Sequence, residues 1–244
     1  MFSPAARMMA VGLALAACIM TPEPASAGVV VAASGPSANE FPVGRKIGDN
    51  ERIVLRAGDT LTVLDGRGTR VLRGAGTFSL NRKTGTSKAS TFAVLTERRS
   101  ARRMRTGAVR GEGDGPVHAP NLWYVDVARP GTMCLADVDE VRLWRRFAEG
   151  DASYRIDAAD AGSSQTVAFA EGEILAVWDT GRLPIATDSR YRITDTDGST
   201  ANSLSFVVLD EVADEPEALA EQLIENGCTG QLKLLSTATM IAER

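Results

Sequence analysis

The chain has 244 residues, of which 44% are hydrophobic and 24% charged, with a net charge of −4. This is globular composition with room for one large or two small domains, and it excludes collagen, coiled coil and wholesale disorder. Aromatics make up only 5%, while 23 glycines and 10 prolines imply many turns, so short strands are expected rather than a helical bundle.

Residues 1–27 read as a targeting segment. Arg7 is the only charge before an apolar run of 13 residues from Met8 to Met20. Pro22 and Pro24 then lead into Ala25-Ser26-Ala27, the small-residue pattern after which a signal peptidase cuts, so the mature chain would begin at Gly28. No run approaches the roughly 20 apolar residues that a transmembrane helix needs. A competing reading takes Leu15-Ala16-Ala17-Cys18 as a lipobox, with Cys18 acylated as a lipid anchor. Export changes the meaning of the remaining cysteines. In an oxidising compartment such as the periplasm, a disulfide between Cys134 and Cys228 is expected, the alternative being two separately buried thiols. Neither has the close Cys or His neighbours of a zinc site or a redox Cys-x-x-Cys pair.

Charge divides the mature chain into three blocks. Residues 28–66 sum to −1, residues 67–110 to +11 and residues 111–244 to −14. A well-mixed surface is less polarised, so the basic block is a candidate contact surface.

The first block reads as antiparallel strands. Val29-Val30-Val31 and Ile53-Val54-Leu55 come first. Leu61 to Leu64 then runs into Asp65-Gly66, a strong hairpin signal, and Arg70 to Arg73 returns as its partner before Thr77 to Leu80 continues. The segments Phe41-Pro42-Val43-Gly44, Leu55-Arg56-Ala57-Gly58-Asp59-Thr60-Leu61 and Asp65-Gly66-Arg67-Gly68-Thr69-Arg70-Val71-Leu72-Arg73-Gly74-Ala75-Gly76-Thr77-Phe78 resemble the FecR-like β domain of bacterial envelope proteins. Classical members add a membrane span and a cytoplasmic tail and relay a receptor signal to a sigma factor. Neither addition is seen in this sequence. The resemblance therefore implies an extracytoplasmic β module, spanning 28–110, that contacts other envelope components.

From Lys88 to Arg105 the pattern turns helical, with Phe92 and Leu95 on one side and Arg98, Arg99, Arg102 and Arg103 stacked at four-residue spacing on another. Like charges so spaced repel, so such a helix either projects them into water or meets an anionic partner. Gly111 to Pro120 reads as a linker.

Beyond it, in 121–244, strands are expected at Leu122–Val127, Thr132–Ala136, Val141–Arg145, Tyr154–Asp157, Thr166–Phe169, Ile174–Trp178, Arg190–Thr194 and Leu204–Leu209. Their 8-to-12-residue spacing suggests an Ig-like β-sandwich. Trp123, Trp144 and Trp178 fit its core. A helical hairpin ends the chain. Asp214 would cap a first helix carrying Pro216, Glu217, Leu219, Leu223 and Ile224, Gly227 would stop it, and a second would run from about Gln231 to Ile241.

No residue set names a reaction. The sole histidine, His118, falls in the linker, where it reads as solvated and poorly placed for a base. No Gly-x-Ser-x-Gly elbow occurs. Asp195-Thr196-Asp197-Gly198-Ser199 has its glycine too early for a calcium loop and reads as a turn, and Asp137, Asp139 and Glu140 read as a solvated loop. No cofactor, metal site or nucleic-acid partner is expected. The resulting expectation is a mainly β, exported, non-enzymatic envelope protein that binds an envelope protein or anionic envelope component through its four arginines. The alternative is a cell-wall or carbohydrate hydrolase using paired carboxylates.

Overall fold

The computed structural model describes residues 26–81, 86–97, 118–159, 162–198 and 201–241. The fold is mainly β, as the turn-rich, strand-spaced sequence implies. The first unit is a four-stranded antiparallel sheet in the order β2 (Lys46–Gly48), β1 (Ser26–Ser34), β4 (Thr60–Asp65), β5 (Gly68–Arg73), with a small ladder of β3 (Ile53–Leu55) and β6 (Gly76–Phe78) beside it. The expected hairpin joins β4 to β5 with Asp65 paired to Gly68. Asp65 holds the turn by accepting a bond from Arg67 N at 2.8 Å and an ion pair from Arg70 at 2.7 Å, both partners of that pair being buried. Gly68 has φ +135° and no room for a Cβ, which would lie 2.5 Å from the Thr239 carbonyl oxygen. Val30, Ile47, Ile53, Leu61 and Val63 fill the core of this unit.

The second unit has two sheets. One runs in the order β11 (Ser164–Phe169), β10 (Ala152–Ala158), β13 (Arg190–Asp195), β14 (Ala201–Val208), β8 (Gly131–Leu135). The other runs β12 (Leu175–Val177), β9 (Arg142–Trp144), β7 (Tyr124–Asp126). Both contribute to one buried cluster that includes Leu143, Ile156, Phe169 and Phe206. At its centre Trp178 meets Tyr191 and Phe206 edge to face, with centroids 5.0 and 5.6 Å apart, and donates its Nε1 hydrogen to the Leu183 carbonyl at 2.8 Å. Trp123, Trp144 and Trp178 are all buried, Trp178 in this cluster and Trp123 and Trp144 in the one beneath the helices. Two pairings, β7 with β9 and β8 with β14, are parallel. A hairpin cannot make such a pair, and β7 reaches β9 only after the chain has crossed to the other sheet as β8. Strand spacing carries no information about such a crossing.

Three helices form the remaining layer: α1 (Ala89–Thr96), α2 (Pro216–Glu225) and α3 (Thr229–Ala238). Pro216 stands at N1, where its missing donor costs nothing, and Glu215 rather than Asp214 is the N-cap. Gly227, at φ +68°, ends α2 as expected. Its N–H bonds to the Ile224 carbonyl and that of Cys228 to the Leu223 carbonyl. The second helix starts two residues earlier than the sequence reading and stops before Thr239, because Thr239 and Ile241 are drawn into a ladder with Thr69. Helix α2 packs on β1 and β4, and α3 on β8, β1, β5 and α1. Val29, Leu64, Leu95, Trp144, Leu219 and Leu235 share one buried cluster, so the helical layer fills the space between the β units. Cys134 on β8 and Cys228 at the head of α3 form the expected disulfide inside it, fully buried, with Cα atoms 5.8 Å apart.

Candidate functional site

Four side chains gather where the 118–126 segment, β8 and the start of α3 meet. Arg129 Nη2 donates to His118 Nδ1 at 3.1 Å, and Arg129 Nε lies 3.6 Å from Asp126 Oδ2. A guanidinium offers only donors, so Nδ1 must accept and the imidazole proton sits on Nε2. Burial first, and then the neighbouring Arg129 charge, holds His118 below the ordinary imidazole value. Burial pushes the Asp126 carboxyl up against the opposing pull of its bond from Ala128 N and the charge of Arg129. His118 is thus half-buried and engaged, which corrects its reading as a solvated linker residue. The folded Arg129 side chain is what the sequence did not disclose.

These groups border a cavity of about 70 Å³ with Tyr124, Met133 and Gly230. It has room for a few water molecules. Its inner wall is Gln231, whose Oε1 accepts from Cys134 N at 2.7 Å while Nε2 donates to the carbonyls of Cys134 at 2.8 Å and Leu122 at 2.9 Å. One amide side chain thereby continues the β8 ladder in place of a strand.

Next to the cavity a shallower groove of about 530 Å³ runs between α1 and α3 over Leu95, Ala119 and Leu234, with Val94 exposed on its bank. The chain leaves the described body at Glu97 and returns at His118 on the rim of this groove. Both points are fixed. The Leu95 carbonyl accepts from Leu122 N, the Thr96 carbonyl from Trp123 Nε1 and the Glu97 carbonyl from Asn121 Nδ2, all at 2.8–2.9 Å. These bonds satisfy the last carbonyls of α1 and explain why it stops at Thr96, with Glu97 extended, inside the longer helix expected from the sequence. Phe92 and Leu95 are its buried face, as expected. Arg98, Arg99, Arg102 and Arg103 lie outside the described residues, as do Cys18, the apolar leader and the linker up to residue 117.

Of the other candidates, Asp195 accepts bonds from Asp197 N and Gly198 N and forms the turn that the sequence suggested. Asp137 accepts from Asp139 N in a second turn. Gln231 escaped the sequence reading because partners 97 and 109 residues away carry no local spacing signal, and Asp126 and Arg129 because a lone charged pair in a turn names no site until His118 folds beside it. Among the described residues no helix is long and apolar enough to cross a membrane. Compared with known families, curated proteins and solved structures, the chain matches none.

Proposed function

We propose that this chain is an exported, non-enzymatic binding module of the bacterial envelope, with a FecR-like first unit and an Ig-like second unit, whose basic segment captures an anionic partner. The observation that carries the reading is the double anchoring at Glu97 and His118. Bonds from Asn121, Leu122 and Trp123 hold Leu95, Thr96 and Glu97, the last described residues before Arg98, Arg99, Arg102 and Arg103, and Arg129 engages His118 where the described chain resumes. Arginine clusters suit such work, because each planar fork can meet a carboxylate or phosphate with two bonds. His118 is not set up as a general base: its Nδ1 lone pair is taken by Arg129 and Nε2 carries the proton. The Cys134–Cys228 bridge supports an oxidising compartment such as the periplasm. The hairpin from Thr60 to Arg73 agrees with the β module that the FecR-like resemblance implies.

The test is in-cell crosslinking of the wild-type chain and of the fourfold Arg→Glu variant at positions 98, 99, 102 and 103. The wild type is expected to capture an acidic envelope protein or anionic lipid that the folded variant loses. Equal capture by both, at low salt, contradicts the proposal.

A further inference from the structure

Sheet edges expose unpaired backbone groups, and this molecule covers two of its own with other parts of the chain. The outer edge of β5 is taken at Thr69, whose N–H bonds to the Thr239 carbonyl and whose carbonyl accepts from Ile241 N. Gln231 covers β8 at Cys134, and Leu209 N takes the Leu135 carbonyl. Among the edges with no described strand on their outer side, β11 and β12 are the two that border one cleft.

The phase of each ladder fixes which groups face outward. Ala158 N bonds to the Ser163 carbonyl, so Gln165, Val167 and Phe169 exchange bonds with β10, while Ser164, Thr166 and Ala168 turn their N–H and C=O groups away from it. Arg145 N bonds to the Ile174 carbonyl and Trp178 N to the Val141 carbonyl, so Leu175 and Val177 likewise turn theirs away from β9. Between these two edges lies an open cleft of about 320 Å³, bordered by Thr166, Ala168, Leu175 and Val177. Gln165 also lines it. That side chain is only 4% exposed; its Oε1 accepts from Asp179 N at 3.3 Å, and its Nε2 has no partner among the described residues. Edge strands are normally guarded by charge, proline or a cover, yet Ser164–Phe169 carries neither charge nor proline, and Val177 is 61% exposed.

We infer that β11 and β12 form a strand-addition site for an extended segment of a partner polypeptide. The occupant must offer hydrogen-bonding groups on both of its sides, since one cleft wall belongs to each sheet. An isolated extended segment does so. The β11 of a second folded copy does not, because β10 already occupies one side of it. Charge sets the partner's composition. Glu173 lines the cleft near the turn after β11, where exposed Glu171 and Asp151 also lie, while Asp179 and Arg182, of opposite sign, line the end beside Gln165, so the segment carries a basic residue at the Glu173 end. Its middle is uncharged. The inference goes beyond the arginine-docking proposal and uses a different surface, so either stands if the other fails.

The experiment uses the isotope-labelled mature chain and a capped heptapeptide alternating threonine and valine between terminal lysines. With peptide present, amide hydrogen exchange at Ser164, Thr166, Ala168, Leu175 and Val177 is expected to slow by about tenfold or more, and the Gln165 side-chain amide signals to shift. The same peptide N-methylated at alternate amides should lose the effect, as should Thr166→Pro, which removes an outward N–H and no β10 bond. Unchanged exchange at those amides, or equal slowing by the N-methylated peptide, overturns the inference. So does self-association of the chain alone that Thr166→Pro abolishes, which would assign the edge to a second copy.

Discussion

His118 and Gln231 are two residues whose roles follow from the donors facing them. The fold favours neutral His118, so the stability it contributes is fully present above the unfolded imidazole value of 6.5 and is lost as pH falls below it. Burial raises Asp126 and Glu217, whose charged forms therefore cost stability at neutral pH, a cost relieved on acidification. Asp59, held low chiefly by the Ser37 N–H, contributes stability that fades only as pH falls below the ordinary carboxylate value of 3.8. His118 should thus lower stability as pH falls through and below the imidazole value of 6.5, against the opposing relief at Asp126 and Glu217. In thermal melts His118→Gln is expected to remove that contribution to the slope; an unchanged slope contradicts the assignment. Gln231→Leu strips three bonds from buried backbone groups and should cost about 2–4 kcal/mol. A urea midpoint equal to the wild type would show that those groups find other partners.

At the scale of elements, local patterns were readable and long-range ones were not. Asp65-Gly66 predicted the β4–β5 hairpin because turn chemistry is local, and Pro216 and Gly227 marked the ends of α2 for the same reason. Strand-forming runs at regular spacing located each described strand of the second unit within a few residues, yet spacing is silent on the parallel pairings of β7 with β9 and β8 with β14. Nor could it show that α1 stops at Thr96, since the groups that take its last carbonyls belong to Asn121, Leu122 and Trp123. The cavity beside His118 was illegible for the same reason: His118 was read from its glycine- and proline-rich neighbours, whereas Arg129 and Gln231 reach it only in the fold. The arginine spacing was legible as a pattern, and its consequence is what the crosslinking test measures.

Across the whole molecule, the helical layer works as a mortise between two β units. Helix α2 lies on the first sheet, α3 touches both units, and the bridge from Cys134 to Cys228 pins α3 to β8. With a sequence separation of 94, closing that loop restricts the unfolded chain by about 4–5 kcal/mol in the chain-entropy model. Cutting after Ala27 would remove only the first two residues of β1 and leave its ladder with β4, from Val29 to Ser34, complete. Translocation is therefore compatible with the strand that opens the fold, and it is the premise under both the bridge and the proposed envelope contacts. The direct measurement is non-reducing peptide mapping by mass spectrometry of the protein purified from its own cells. The account predicts an N-terminus at Gly28 and a linked Cys134–Cys228 peptide; an intact Met1 with both thiols free to alkylation would contradict it.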